Sequence, residues 1–227
     1  MKIEIHSGIA AIPAEEWNAL VRDRNPLLRH EFLHAMEANG CVGERFGWLP
    51  RHIAIYDGGR LAGAMPLYEK NNSYGEFVFD HAWADAYKRS GHDYFPKLVS
   101  SVPYTPCGGQ RLLSREDDRE RVFPLLLETA RSLAGELGAS GLHVLFPESS
   151  EIDFLQGEEL MIRHDCQFHW HNRGYDSFGD FLSRLSSRKR KNILRERRGV
   201  ADAGVTLRML DGHSATAEEW RLFTYFY

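Results

Sequence analysis

Three cysteines in 227 residues, Cys41, Cys107 and Cys166, are too few and too widely spaced for a disulfide framework and fit a reducing compartment. Long hydrophobic runs are missing as well. Stretches such as VFPLLL at 122–127 fall far short of a membrane span, and the amino-terminal MKIEIHSG has no apolar signal core. These absences predict a soluble, cytoplasmic protein without a membrane span. Neither the phosphate-loop pattern GxxxxGK(S/T) nor the dinucleotide pattern GxGxxG occurs, and no Ser, His and Asp constellation stands out by spacing. There is no internal repeat and no low-complexity tract.

What the sequence does have is apolar mass: 43% hydrophobic and 12% aromatic residues, enough to bury a substantial core in one large or two modest domains. Its charge is also unevenly placed. Between Arg184 and Arg198 the chain reads RLSSRKRKNILRERR, eight basic residues against the single acid Glu196, a formal +7. The remaining 20 basic and 31 acidic residues make a body of −11. Such asymmetry points to an anionic partner. On a continuous helix Arg184, Arg188, Lys191, Arg195 and Arg198 fall on one stripe, about 20 Å long, which suits several phosphates. Phe178, Phe181, Leu182, Leu185 and Ile193 occupy another face. Continuing that apolar phase brings Lys189, Asn192 and Glu196 onto the buried side. Either the helix leaves the core after Ser186-Ser187, or these side chains border a polar site. A solvated basic helix is the plain alternative, since water screens like charges.

Strands and helices alternate along the chain. The pattern predicts strands at 2–6, 52–56, 61–68, 76–79, 97–102 and 142–146, with helices at 13–21, 30–39, 81–89 and 119–137. Asp57-Gly58-Gly59-Arg60 reads as a hairpin turn, because Gly tolerates positive φ. A polar, acidic connection at 147–157 then leads to a short helix. A strand at 166–171, the basic helix, a strand at 205–210 and a helix at 215–227 follow. The fold class expected is α/β, a mixed sheet flanked by helices, with domains at 1–160 and 161–227. The second is short and ends on aromatic residues, so the sequence reads as a fragment.

His164, Cys166, His169 and His171 offer zinc-type ligands at short spacing. Strand alternation sets Cys166, Phe168 and Trp170 on one face and His169 and His171 on the other, so no metal site is expected. Trp170 is expected buried, and His169 and His171 cleft-facing, able to bond a substrate or move a proton. In the loop from Pro103 to Arg111, glycines allow close backbone approach and Arg111 offers a clamp for phosphate or carboxylate. The next helix opens amid Glu116, Asp117 and Asp118, which would repel a pyrophosphate there.

The blocks NPLLRHEFLHAME (25–37), EFVFDHAWADAY (76–87), YFPKLVSSVPYTPCGGQRLL (94–113) and FHWHNRGYDSFGDFLSRLSSRKRKNILRERR (168–198) resemble a bacterial family of N-acyltransferases labelled peptidoglycan biosynthesis proteins. That family is similar to FemAB-type aminoacyltransferases, built from two GNAT-like modules. There a segment F-x-x-L-x-x-x-x-R-x-x-I-R follows the first strand of the second module, and 178–195 is similar. The GNAT coenzyme A pattern Q/R-x-x-G-x-G/A is not found at Cys107-Gly-Gly-Gln-Arg111, and family members look longer.

The resemblance implies a GNAT-like module followed by the start of a second, incomplete one. It implies N-acyl transfer from aminoacyl-tRNA or acyl-CoA, with no tightly bound cofactor, to an amine-bearing small molecule or peptide in cell-wall or peptide metabolism. Proximity and oxyanion stabilisation would supply the catalysis. Tyr104, Arg111, His169, His171 and Asn172 are the substrate candidates. Arg184, Arg188, Lys189, Arg190, Lys191, Arg195 and Arg198 are the donor candidates, with tRNA as a partner to test. The general base is left unassigned. Two other classes stay open: an RNA-binding module without catalysis, and a degenerate GNAT-like interaction scaffold.

Overall fold

A computed structural model describes residues 1–22 and 25–227 and divides them into two compact units, Met1–Arg163 and His164–Tyr227. The first carries two four-stranded sheets, and helices cover them, so the mixed α/β class expected from the sequence is what forms. The expected single sheet is instead two. One sheet is antiparallel throughout, with β1 (Lys2–His6), β3 (His52–Asp57), β4 (Arg60–Met65) and β7 (Leu113–Ser114) in the order β1-β3-β4-β7. The other orders β2 (Trp48–Pro50), β5 (Tyr68–Lys70), β6 (Lys97–Ser100) and β8 (Leu142–Val144) as β2-β5-β6-β8, its last pair parallel.

The β3–β4 hairpin closes through Gly58 and Gly59, at φ 58° and 82°, a backbone that costs glycine little. The strand expected to run on to Tyr68 stops at Met65. Pro66 has no N–H for the ladder, and the chain passes there into the second sheet.

Strand alternation then divides the core. Ile53 and Ile55 face α4 (Arg119–Glu136), whose Val122, Phe123, Leu126, Ala130 and Leu133 recur at helical spacing and also cover Leu98 and Leu155. Ala54, Leu61 and Ala64 face the other way, under Trp17 and Leu20 of α1 (Ala14–Leu20) and Leu33 of α2 (His30–Ala38). Each such large apolar side chain contributes about 1.5–3 kcal/mol by leaving water.

Carboxylates fasten helices to the sheets. Glu16 accepts from Leu61 N at 2.5 Å and Glu37 from Ile9 N at 2.8 Å. Glu151, on α5 (Ser149–Gly157), accepts from Arg111 N at 2.9 Å and Leu112 N at 2.8 Å. Residues 76–79, expected as a strand, are irregular and lead into α3 (His81–Arg89).

The second unit holds α6 (Phe178–Ser183), α7 (Ser187–Asp202) and α8 (Ala217–Phe226), and the strands expected at 166–171 and 205–210 do not form. A strand needs a neighbour for its backbone groups, and this unit offers none. Thr216 and Glu219 close a capping box that starts α8. Among the described residues, no helix is long and apolar enough to cross a membrane.

Candidate functional site

The outer face of the second sheet carries charge where apolar residues would be expected. Register places Trp48 opposite Lys70 and Lys70 opposite Lys97, with Tyr68, Val99 and His143 on the same face one step along. Like charges directly opposite destabilise a sheet. The segment that crosses this face supplies the answer, because Glu76 and Asp80 turn inward, each 2% exposed. Lys97 Nζ donates to Glu76 Oε2 at 2.7 Å and to Asp80 Oδ2, which also accepts from the Tyr94 hydroxyl at 2.6 Å. Among the described residues no carboxylate bonds Lys70 directly. Its Nζ donates to Asn72 Oδ1 and Tyr74 O, both at 3.2 Å, and sits 3.8 Å from the centre of the Trp48 ring.

Burial and these partners divide the titrations. Burial lowers Lys70 to about 7 and raises Glu76, while Lys97 favours the ionised carboxylate. Asp80 stands well below the usual carboxylate range. Burial works against that, and the hydrogen bonds from Lys97, Ser73 and Tyr94 outweigh it. Tyr94 is pushed up by burial and by Asp80, and His143 is lowered to about 4 by burial and Lys97. Glu76 Oε1 is buried without a hydrogen-bond partner among the described residues.

Inward carboxylates turn their neighbours outward. Phe77 and Phe79 are 47% and 73% exposed and stand at φ 61° and 49°, a left-handed backbone that costs a bulky residue energy. Tyr74 and Trp83 are exposed beside them in sequence. Tyr104, also left-handed at φ 56°, donates its N–H to Gly75 O at 3.1 Å and its hydroxyl to Cys41 O at 3.0 Å. Its ring packs against Trp48, and a Cβ on Gly75 would overlap it. Glycine is required there by close approach as well as by φ 78°.

The sequence candidates fall in different surroundings. Tyr104 is at the surface, 37% exposed. Arg111 is a correction: it is fully buried, and its guanidinium donates to Leu145 O, Gln110 O and Cys107 O at 2.6–2.8 Å. With its Nε and both terminal nitrogens each bonded to a carbonyl and the side chain buried, it braces the Cys107–Arg111 loop. Tyr104 and Arg111 thus share a loop but not an environment.

In the second unit His169 and His171 stack at 6.3 Å between ring centres, and His169 Nε2 lies 2.8 Å from Gln167 Oε1. Both are exposed, so period-two alternation fails where no strand exists. Trp170, expected buried, is 65% exposed and stacks on Tyr175. Asn172 Oδ1 accepts from Gly174 N and Tyr175 N, an Asx turn. No group of three or more His, Cys, Asp or Glu able to hold a metal occurs among the described residues.

The basic segment is two helices with a break between them. Arg184 caps the end of α6, and Ser186 opens α7 by accepting from Lys189 N. Leaving the core at Ser186-Ser187 resolves the polar residues in the apolar phase, for α7 buries nothing. Arg188, Lys191, Arg195 and Arg198 keep their stripe, Lys189 and Arg190 fall on other faces of the same helix, and Arg184 stands apart. Arg197 lies over Phe178 at 4.5 Å. None of these cations is in an ion pair among the described residues. The first turns carry Arg188, Lys189, Arg190 and Lys191 and no acid, against the helix dipole. Such an end favours an anion.

A family profile described as FemAB-like, peptidoglycan biosynthesis/recognition, matches residues 8–227. No curated protein matches. Among solved structures, a ribosomal-protein-alanine N-acetyltransferase from Brucella melitensis biovar Abortus 2308 is 14% identical, with a TM-score of 0.43, over 76% of this chain and 99% of that one. An aminoglycoside 6'-N-acetyltransferase from Acinetobacter haemolyticus is 12% identical, with a TM-score of 0.42, over 78% and 100%. One from Acinetobacter baumannii is 10% identical, with a TM-score of 0.44, over 76% and 99%.

Proposed function

The chain belongs to the FemAB-like family, and from that premise we propose that it is an N-acyltransferase whose donor is held by its phosphates along α7. An amine lone pair attacks the activated acyl carbonyl, forming the C–N bond. The carbonyl oxygen carries negative charge until the donor's thiolate or ribose oxygen leaves, and the amine gives up one proton. The acceptor is an amine-bearing small molecule or peptide of cell-wall metabolism. Residues 161–227 are read as the opening of a second module, with His169, His171 and Asn172 as its surface candidates for substrate. Tyr104 is the first unit's candidate.

The observation that carries the donor reading is the unpaired cationic face of α7, set against its own helix dipole. Acyl-CoA and aminoacyl-tRNA both satisfy that chemistry and differ in phosphate count. Salt-titrated binding separates them, since log affinity falls with log salt by roughly 0.7–0.9 per phosphate neutralised. Replacing Lys191 and Arg195 with Ala is expected to flatten the slope for the true donor by about one to two units. Exposed positions on α7 leave the fold intact in that variant. Binding without salt dependence, or an unchanged slope, would make α7 a solvated surface.

A further inference from the structure

The antiparallel sheet ends on β1, and this edge lacks the usual protection. The other sheet edges are short: β7 has two residues, and β2 and β8 have three each, against five in β1. β1 pairs with β3 in unbroken register from Lys2 to His6, so along its other side every second residue turns its N–H and C=O away from the sheet. It contains neither proline nor a bulge, two of the devices that keep one edge from pairing with another. One face of the strand is apolar and uncovered. Ile3 and Ile5 stand opposite Ile55 and Ile53, which are fully buried under α4, yet they are themselves 42% and 43% exposed. The apolar layer runs out to the edge and stops in water. The other face carries Lys2 and Glu4, an ion pair two residues apart along the strand. There the edge opens into a hollow of about 420 Å³ lined by Met1, Lys2, Glu4 and Tyr56, which leaves room for incoming side chains.

Such an edge accepts another strand, and its charges select which one. When a second β1 lies antiparallel to the first across a two-fold axis through Ile3, Lys2 of each copy faces Glu4 of the partner subunit, Ile3 meets its own counterpart, and Ile5 faces Met1 of the partner subunit. The strand is complementary to itself. Side chains directly opposite across a ladder lie about 5 Å apart, closer than the roughly 7 Å between residues two apart in one strand, so each charge gains a nearer partner than it has at present. An axis through Lys2 or Glu4 would instead set like charges face to face. β1 lies ahead of residue 8, where the family match begins, so this surface is not one that the family brings with it.

We propose that β1 is a homodimer interface, at which two copies of the chain join edge to edge with Ile3 on the two-fold axis and Lys2 of each copy opposite Glu4 of the partner subunit. Five residues on each side make a small interface, so the association is weak and reversible. It is independent of the acyl-transfer reading.

The test is analytical ultracentrifugation of the full chain from about 5 to 500 µM, the range that an interface of this size calls for. Wild type is expected to pass reversibly from monomer to dimer within it. Lys2→Glu brings acid against acid and Glu4→Lys base against base, each twice across the axis, so either variant alone should self-associate about tenfold or more weakly. Mixed in equal amounts, with one of them carrying a visible dye, the two variants become complementary and should form a heterodimer at least as tight as the wild-type dimer. Damage to the fold cannot produce that rescue, because neither chain is repaired by the other, and separate thermal melts check that both variants are folded. A wild type that stays monomeric throughout the range, association that both substitutions leave unchanged, or a mixture no tighter than its components overturns the proposal. The second of these results would assign self-association to another surface.

Discussion

Replacing Lys97 with Met is expected to be among the costliest single changes in the protein, and the cost should depend on pH in a particular direction. Lys97 is fully buried and is bonded by both Glu76 and Asp80. Methionine matches its length and removes its charge, leaving two buried carboxylates with no cation in contact. Removing one partner of a buried ion pair costs about 3–5 kcal/mol. For a unit of this size each kcal/mol shifts Tm by roughly 2–4 °C, so a fall on the order of 10 °C is expected at pH 8. In the wild type Asp80 lies below its unfolded value, so its stabilisation is present above the unfolded pKa and is lost as pH falls. In the variant both carboxylates lie above their unfolded values, so stability is retained when they are protonated and lost as pH rises through their folded pKa values. Thermal and urea unfolding of both proteins at pH 5 and pH 8 provides the assay. The difference between them should be smaller at pH 5. A Tm at pH 8 within about 2 °C of wild type, or a penalty that does not shrink in acid, would refute the reasoning.

Glu151 is pushed up to about 7 by burial, so it holds a proton in the folded state that the unfolded chain releases near 4.5. Its contribution therefore falls as pH rises between these values and levels off above about 7. Glu151→Gln, which keeps one acceptor, is expected to flatten the stability–pH curve in that interval. The variant and wild type, melted from pH 4 to 8, check it. Gly63→Ala should destabilise by about 1–3 kcal/mol, since the new Cβ would overlap Val122 on α4; chemical denaturation gives the value.

Much of the first unit was legible because its signals are local. The Gly58-Gly59 turn, the helical recurrence in α4 and the alternation in β1 and β3 each follow from the period of one element. The basic stripe was legible for the same reason. The second unit was misread where alternation was taken to mean a strand: Cys166 to His171 alternates in sequence, yet pairing needs a neighbour that periodicity cannot supply. Arg111 looked like an anion clamp because an arginine after two glycines carries no mark of its burial. Its fate was decided by three carbonyls, one of them at Leu145. The Lys70–Lys97 row was missed because register is a tertiary fact, although the alternation of Glu76 and Asp80 with Phe77 and Phe79 was a visible clue. Carboxylates spaced among phenylalanines can be read in either phase, and only the lysines beneath them choose.

Glu16 and Glu151 each reach across the fold to a backbone N–H rather than to a side chain. A bond of that sort is indifferent to which residue stands at the far end. Leu61, Arg111 or Leu112 can change identity and the N–H remains, so long as proline is avoided. In a set of homologous sequences these glutamates should therefore behave as soloists, resistant to change yet without compensating partners. Contact inference from paired substitutions would pass over them, although they fasten α1 and α5 to the rest of the unit.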